Sequence, residues 1–255
     1  MEKNRVIKLI THNITTPCHL FNNLNDEKEG DELVKNNKLR RFYSTGTKKG
    51  IISTRRALIS AGLDINDPKI RFGLYTTQYG YLHPLPSELL PEYEQTQTNN
   101  PNSIFQTIWE CEQVNPFLIT LSLSNNLLGV LSQELNLQCD CASFLRGNLG
   151  LLSAFSEAEL CLNSGLIDYA LVVASGIGNV SQESQSEFAG GGVEFGVTFI
   201  LTKVENQVSQ ENLHLIDITR LYQNYREGNY AAETLLFIKE LADRINAHKQ
   251  VETVN

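Results

Sequence analysis

The chain reads as an α/β protein built in layers, because predicted strands and helices alternate along most of its length. Two stretches carry that reading. From Leu145 to Gly176 a turn holding Gly147 and Gly150 opens a long apolar-periodic helix. Ser164-Gly165 closes the helix, and a buried-strand run, Tyr169 to Ala174, follows and stops at Ser175-Gly176. From Val193 to Val204 a Gly-led strand carries almost no charge inside it, as a strand covered on both faces requires.

The remaining elements follow in order. Val6 to Ile14 alternates as a strand, and Thr15-Thr16-Pro17 ends it. Asn22 to Glu32 is polar and acidic and reads as a surface loop. Arg55 to Gly62 places Ala57, Leu58 and Ala61 at helical spacing, with Gly62 as a stop. Ile70 to Thr76 reads as a strand. His83 to Pro101 holds four prolines and reads as a long loop. Asn126 to Leu135 reads as a helix and Leu137 to Phe144 as a strand. His214 to Thr219 is a further strand, and Glu233 to Ala247 an amphipathic helix with Leu235, Ile238, Ala242 and Ile245 on one face. No internal repeat interrupts the series. The expected organisation is one domain over residues 1–219, followed by a C-terminal amphipathic helix and tail over 220–255.

Length and composition set limits. At 255 residues with 41% hydrophobic content the chain can bury a sizeable core. A net charge of −8 argues against general nucleic-acid or membrane-surface binding. The N-terminus lacks an apolar signal core, and no run approaches a membrane span, so a soluble cytoplasmic protein is expected. The five cysteines, Cys18, Cys111, Cys139, Cys141 and Cys161, form no disulfide framework and no zinc spacing, so an inert or structural role is expected for them. Gly190-Gly191-Gly192 precedes a strand without the phosphate-loop lysine, which favours a tight backbone approach over a nucleotide site. No cofactor or metal is expected.

Several of these segments, in order, are similar to the N-terminal half of a β-ketoacyl synthase. Arg5-Val6-Ile7 to Pro17 resembles the opening strand. Lys38-Leu39-Arg40-Arg41 with Arg56 to Asp64 resembles the first long helix, which ends in Ala-Gly-Leu. Arg71-Phe72-Gly73-Leu74-Tyr75 resembles the next strand. Asn115-Pro116 and Asn125 to Gln138 resemble the segment before the nucleophile, and Glu194 to Leu201 the segment closing that half. The resemblance to the thiolase and ketosynthase superfamily spans residues 5–219. It implies a thiolase-like fold, a layered α/β/α arrangement around a mixed sheet.

In that superfamily the nucleophilic Cys opens the helix 17 positions before the Gly that closes it. From Gly165 that position is Asn148, and a carboxamide cannot replace a thiolate as nucleophile. Cys141 lies within the predicted strand, too early to substitute. The family's two catalytic His belong to a second half, and His214 and His248 lack the Gly-rich context expected of them. The resemblance therefore implies a non-catalytic, chain-length-factor-like subunit. Such a subunit pairs as a heterodimer with an active ketosynthase in type II polyketide or fatty-acid-type biosynthesis, and the short form resembles those of aryl-polyene-type clusters. It implies that the strand holding Leu137, Cys139, Cys141, Ser143 and Phe144 pairs across the dimer two-fold; an internal strand is the alternative. Asn148 serves as a helix N-cap or surface residue, or as a polar contact to a substrate carbonyl or partner loop. Eight cations and no acid lie between Lys35 and Arg56. Lys48, Lys49, Arg55 and Arg56 among them are candidates to dock an acidic partner such as an acyl carrier protein, against a plain solvated face. Two other readings stay open: a standalone acyl- or carrier-protein-binding module, and an atypical decarboxylase or acyl-transfer enzyme with Asn148 as an oxyanion donor.

Overall fold

The structure, a computed structural model, describes residues 6–18, 21, 32–80, 121, 123–144, 147–180, 192–204 and 214–252. The expected loop from His83 to Pro101, the acidic segment before Glu32, Asn115-Pro116, Cys111, Leu145, Gly190 and Gly191 lie outside the described residues.

The elements are β1 (Val6–Thr15), a 3₁₀ helix (Asn37–Phe42), α1 (Thr47–Ala61), β2 (Phe72–Tyr79), α2 (Asn126–Glu134), β3 (Asp140–Phe144) and α3 (Gly147–Ser164). They continue with β4 (Tyr169–Asn179), β5 (Gly192–Thr202), β6 (His214–Asp217), α4 (Ile218–Glu227) and α5 (Leu235–Glu252). The sheet order is β3-β2-β4-β5-β1-β6. β3, β2 and β4 run parallel; β5, β1 and β6 follow, each antiparallel to its neighbour, so β1 runs in the direction of β4 and only β5 and β6 are reversed. The expected mixed sheet in an α/β/α arrangement is thus what forms.

The central strands are buried on both faces, and alternation assigns their side chains to two cores. On β4, Ala170, Val172 and Ala174 join the core beneath α3, α4 and α5, while Leu171 and Val173 join the core beneath α1 and α2. Three helices stop in the same way. Gly62, Asn136 and Gly165 take left-handed φ values of 65°, 54° and 74°. The next N–H, of Leu63, Leu137 or Leu166, then donates to the carbonyl of Leu58, Ser132 or Cys161.

Some boundaries differ from expectation. β3 starts at Asp140, because the left-handed turn at Asn136 uses Leu137 in the helix stop, so Leu137 and Cys139 precede the strand. The predicted strand from His214 ends at Asp217, whose carboxylate accepts the Arg220 N–H at 3.1 Å and starts a helix. Two helices rather than about one therefore follow β6. α4 runs across residues 219 and 220, and Leu221 shares the α3-side core with Leu235 and Ile238.

α1 seats its first turn directly on bare backbone. A Cβ on Gly196 would lie 2.2 Å from the Lys49 carbonyl carbon of α1, and one on the neighbouring Gly176 (φ 135°) would lie 2.1 Å from the Tyr79 carbonyl oxygen of β2. Neither obstacle is a movable side-chain tip. Gly176→Ala is therefore expected to cost about 3 kcal/mol or more through overpacking and backbone strain, read as a fall in the urea midpoint. A change below about 0.5 kcal/mol, the size of an ordinary surface substitution, would contradict the packing described.

Candidate functional site

Asn148 is fully buried, which corrects the expectation of a capping or surface residue. It stands in the first turn of α3, at the end of the sheet where β2 and β3 finish. Its Oδ1 accepts from the Tyr79 hydroxyl at 2.6 Å. Its Nδ2 donates to the carbonyl oxygens of Ala231 at 3.0 Å and Thr234 at 3.3 Å. Its backbone N–H donates to the Ala232 carbonyl at 2.7 Å. Both side-chain N–H groups, the amide oxygen and the main-chain donor are all committed.

The segment before α5 is what fills the position. Gly147 (φ 79°) lets it come close, since a Cβ there would meet the Ala232 carbonyl oxygen at 2.3 Å. Glu233 ties the same segment to the strand ends. Its carbonyl accepts from the Asn179 N–H at 2.9 Å and its Oε1 from the Gly80 N–H at 3.0 Å. Tyr79 is fully buried and packs edge-on against Phe195 at 5.0 Å between centroids. Burial, then the neighbouring Tyr225 and Glu233, push its hydroxyl well above the ordinary tyrosine range, so it stays a protonated donor.

Chemically the arrangement closes itself. The Asn148 main-chain N–H at the helix start already holds a carbonyl, that of Ala232. An oxyanion role for Asn148 would need a free amide hydrogen, and both are in use. The partners of Asn148 among the described residues include neither a histidine nor a thiol. No cluster of metal-ligating side chains occurs among the described residues, and no helix of theirs is long and apolar enough to cross a membrane.

The other candidate residues fall into two groups. On β3, Cys141 is exposed and Ser143 and Phe144 are half-buried, while Leu137 and Cys139 pack from the approach to the strand. β3 pairs only with β2 among the described residues, so it is an edge strand. The four cations expected to dock an acidic partner differ in exposure. Lys49 is buried, with its Nζ 3.4 Å from Glu194 Oε2. Arg55 donates to the Glu134 carbonyl oxygen at 2.8 Å. Lys48 and Arg56 are half-buried. The exposed cations of this stretch are Lys35, Lys38, Arg40 and Arg41, on and beside the 3₁₀ helix. Of the glycine run, Gly192 opens β5, where a Cβ would meet Ile177 at 2.4 Å, the tight approach expected of it. Sequence reasoning missed Tyr79 and the Ala231–Thr234 segment. Their contacts with Asn148 span 69 to 86 positions, and backbone acceptors leave no residue-type signature.

No family model and no curated protein matches the chain. Solved structures do. A type II polyketide synthase acyl-carrier protein in complex with its ketosynthase bound to the hexaketide matches with TM-score 0.53 and 14% identity, over 79% of this chain and 63% of that one. The ishigamide ketosynthase/chain length factor matches with TM-score 0.50 and 13% identity, over 79% of this chain and 59% of that one. The chain thus spans about three-fifths of the length of the chains it matches. It has the thiolase-like α/β fold of the ketosynthases.

Removing the Asn148 side chain would leave the Tyr79 hydroxyl and two main-chain carbonyls buried without partners. Asn148→Ala is expected to cost about 2–4 kcal/mol in urea unfolding, and Tyr79→Phe about half as much. A neutral Asn148→Ala would mean that the position is open to water.

Proposed function

We propose that the chain is a non-catalytic, chain-length-factor-like subunit that pairs with an active β-ketoacyl synthase in type II polyketide or fatty-acid-type biosynthesis. The observation that carries the reading is Asn148. The position that the sequence resemblance matches to a condensing enzyme's nucleophile holds a side chain with no nucleophilic atom, and its hydrogen-bonding groups are all committed within the chain. The exposed edge of β3 supports the pairing half of the proposal. The two similar structures above include a ketosynthase/chain length factor, which supports it at the level of fold. Ala231 to Thr234 then act as the segment that seals the site.

The exposed cations of the 3₁₀ helix favour a carrier-protein contact as a second activity of the same surface. Leu39 anchors that helix in the protein, and the Glu134 carboxylate accepts the Lys35 N–H at 2.7 Å, so the cations stand on a fixed base. An acidic carrier is drawn there by complementary charge. The standalone binding module remains the rival, and it predicts carrier binding without a ketosynthase.

Affinity capture of the chain from its native host, with mass spectrometry of stoichiometric partners, is expected to recover a ketosynthase with an intact nucleophilic Cys. Recovery of a carrier protein alone would replace the proposal with the binding module. Malonyl-carrier turnover by the pure chain, lost in Asn148→Ala at retained folding, would overturn the non-catalytic reading.

Thiol labelling tests the interface directly. Cys141 is exposed, whereas burial raises the Cys139 thiol to about 11, so iodoacetamide near neutral pH is expected to modify Cys141 before Cys139. In the complex, Cys141 labelling is expected to slow at least tenfold, by the population of open edge. Unchanged labelling would place the partner elsewhere.

A further inference from the structure

The end of the sheet opposite Asn148 carries an open cleft of about 690 Å³. Its walls are the connections α1–β2, α2–β3 and α3–β4. Ile65, Leu137 and Leu166 give it an apolar floor, and Asp67 and Asp140 stand among its lining residues. Leu166 is half exposed there with nothing over it among the described residues.

Among the residues that line the cleft the carboxylates outnumber the cation, with exposed Lys69 beside them on the α1–β2 wall. Each wall follows a helix C-terminus, so the negative ends of α1, α2 and α3 converge on it. Asp67 and Asp140 add two carboxylates. The lining cation is Arg71, and it is already neutralised. It grips Asp168 at 2.6 and 3.1 Å, donates to the Gly165 carbonyl at 2.7 Å, and holds the Asp168 carboxyl below the usual range. The cleft is also continuous with the edge of β3 that has no partner strand among the described residues, since Asp140 is both a lining residue and the first residue of that strand. A strand laid along β3 therefore runs directly into the cleft.

We propose that the cleft receives an extended basic segment of the partner, with an apolar side chain on the leucine floor and a Lys or Arg against Asp67 and Asp140. This rests on the pairing at β3 proposed above and names a second anchor for it.

The test uses the chain alone and a capped peptide, acetyl-Leu-Arg-Leu-Lys-Leu-amide, followed by NMR. Backbone shifts are expected over residues 64–71, 136–140 and 166–167. Binding should weaken about fivefold in the Asp67→Asn/Asp140→Asn double variant, which keeps the acceptors for Lys69 N–H and Tyr75 hydroxyl. It should weaken likewise between about 50 and about 300 mM salt, and the peptide with Glu in place of Arg and Lys should bind far less. Leu166→Lys, at an exposed position, should abolish it without disturbing the fold. Equal binding of the two peptides, or shifts confined to other residues, overturns the proposal. The two readings fail separately. Peptide binding without a copurifying ketosynthase keeps the cleft and removes that partner. A complex that protects Cys141 and keeps its affinity in Leu166→Lys keeps the pairing and removes the cleft.

Discussion

The seating of the first turn of α1 on naked backbone at the β4–β5 ladder is the contact on which the rest depends. Gly46, Gly176 and Gly196 meet there without side chains between them. Glu194 locks the contact, taking the Gly46 N–H at 2.7 Å and facing Lys49 at 3.4 Å. A turn further on, the hydroxyls of Ser53 and Thr54 meet Thr198 Oγ1 at 2.8 and 2.9 Å, all buried. Buried polar groups are tolerable only when paired, so this chain of contacts fixes the helix in one register. With α1 fixed, Ile51 and Ile52 fill the second core, and β2 finds its place between β3 and β4.

The same rule explains the fate of the candidate site. A polar side chain of the size of Asn148 at the buried end of the sheet requires three or four partners. Tyr79 and the carbonyls before α5 supply them. A site organised this way gains stability in the currency that catalysis would need free: a donor not yet engaged and a cavity not yet filled. The contrast between Asn148 and Lys49 is instructive. Both are polar and both are buried, yet neither is poised for chemistry, because each has its charge or dipole answered within the chain.

What the sequence revealed and what it hid divide along the range of the interactions. Helix ends at Gly62 and Gly165, the two-face burial of Tyr169 to Ala174 and the strand–helix alternation are written in neighbours a few positions apart, and they were legible. The orientation of the cations was not. Lys49 and Lys48 are adjacent in sequence, but one turns inward to Glu194, 145 positions away, because helical phase and a distant carboxylate decide it. Likewise, a strand predicted from Leu137 lost its first three residues to a left-handed turn at Asn136, a residue whose tolerance for that conformation is visible in sequence only as a tendency. The sealing segment, Ala231 to Thr234, acts through carbonyls, and every residue type has one.

The two ends of the sheet differ for a topological reason. The crossovers put the starts of α1, α2 and α3 at one end of the sheet and their stops at the other, whereas α4 starts at the second end after Asp217. At the starts, free N–H groups invite a carbonyl or an anion, and here Ala232 has answered that invitation from within the chain. At the stops, Leu63, Leu137 and Leu166 fold back onto the last turns, so a carbonyl of each helix is satisfied while its negative dipole end remains. The result is an end where helix C-termini and the Asp67 and Asp140 carboxylates stand beside exposed apolar side chains such as Leu166. Such a surface has little to offer an anionic acyl carrier and more to offer a cationic, partly apolar chain. The cations of the 3₁₀ helix have the opposite preference. The two sets of charges meet near the end of α2, where the Glu134 carboxylate accepts the Lys35 N–H at 2.7 Å and Asn136 begins the cleft wall.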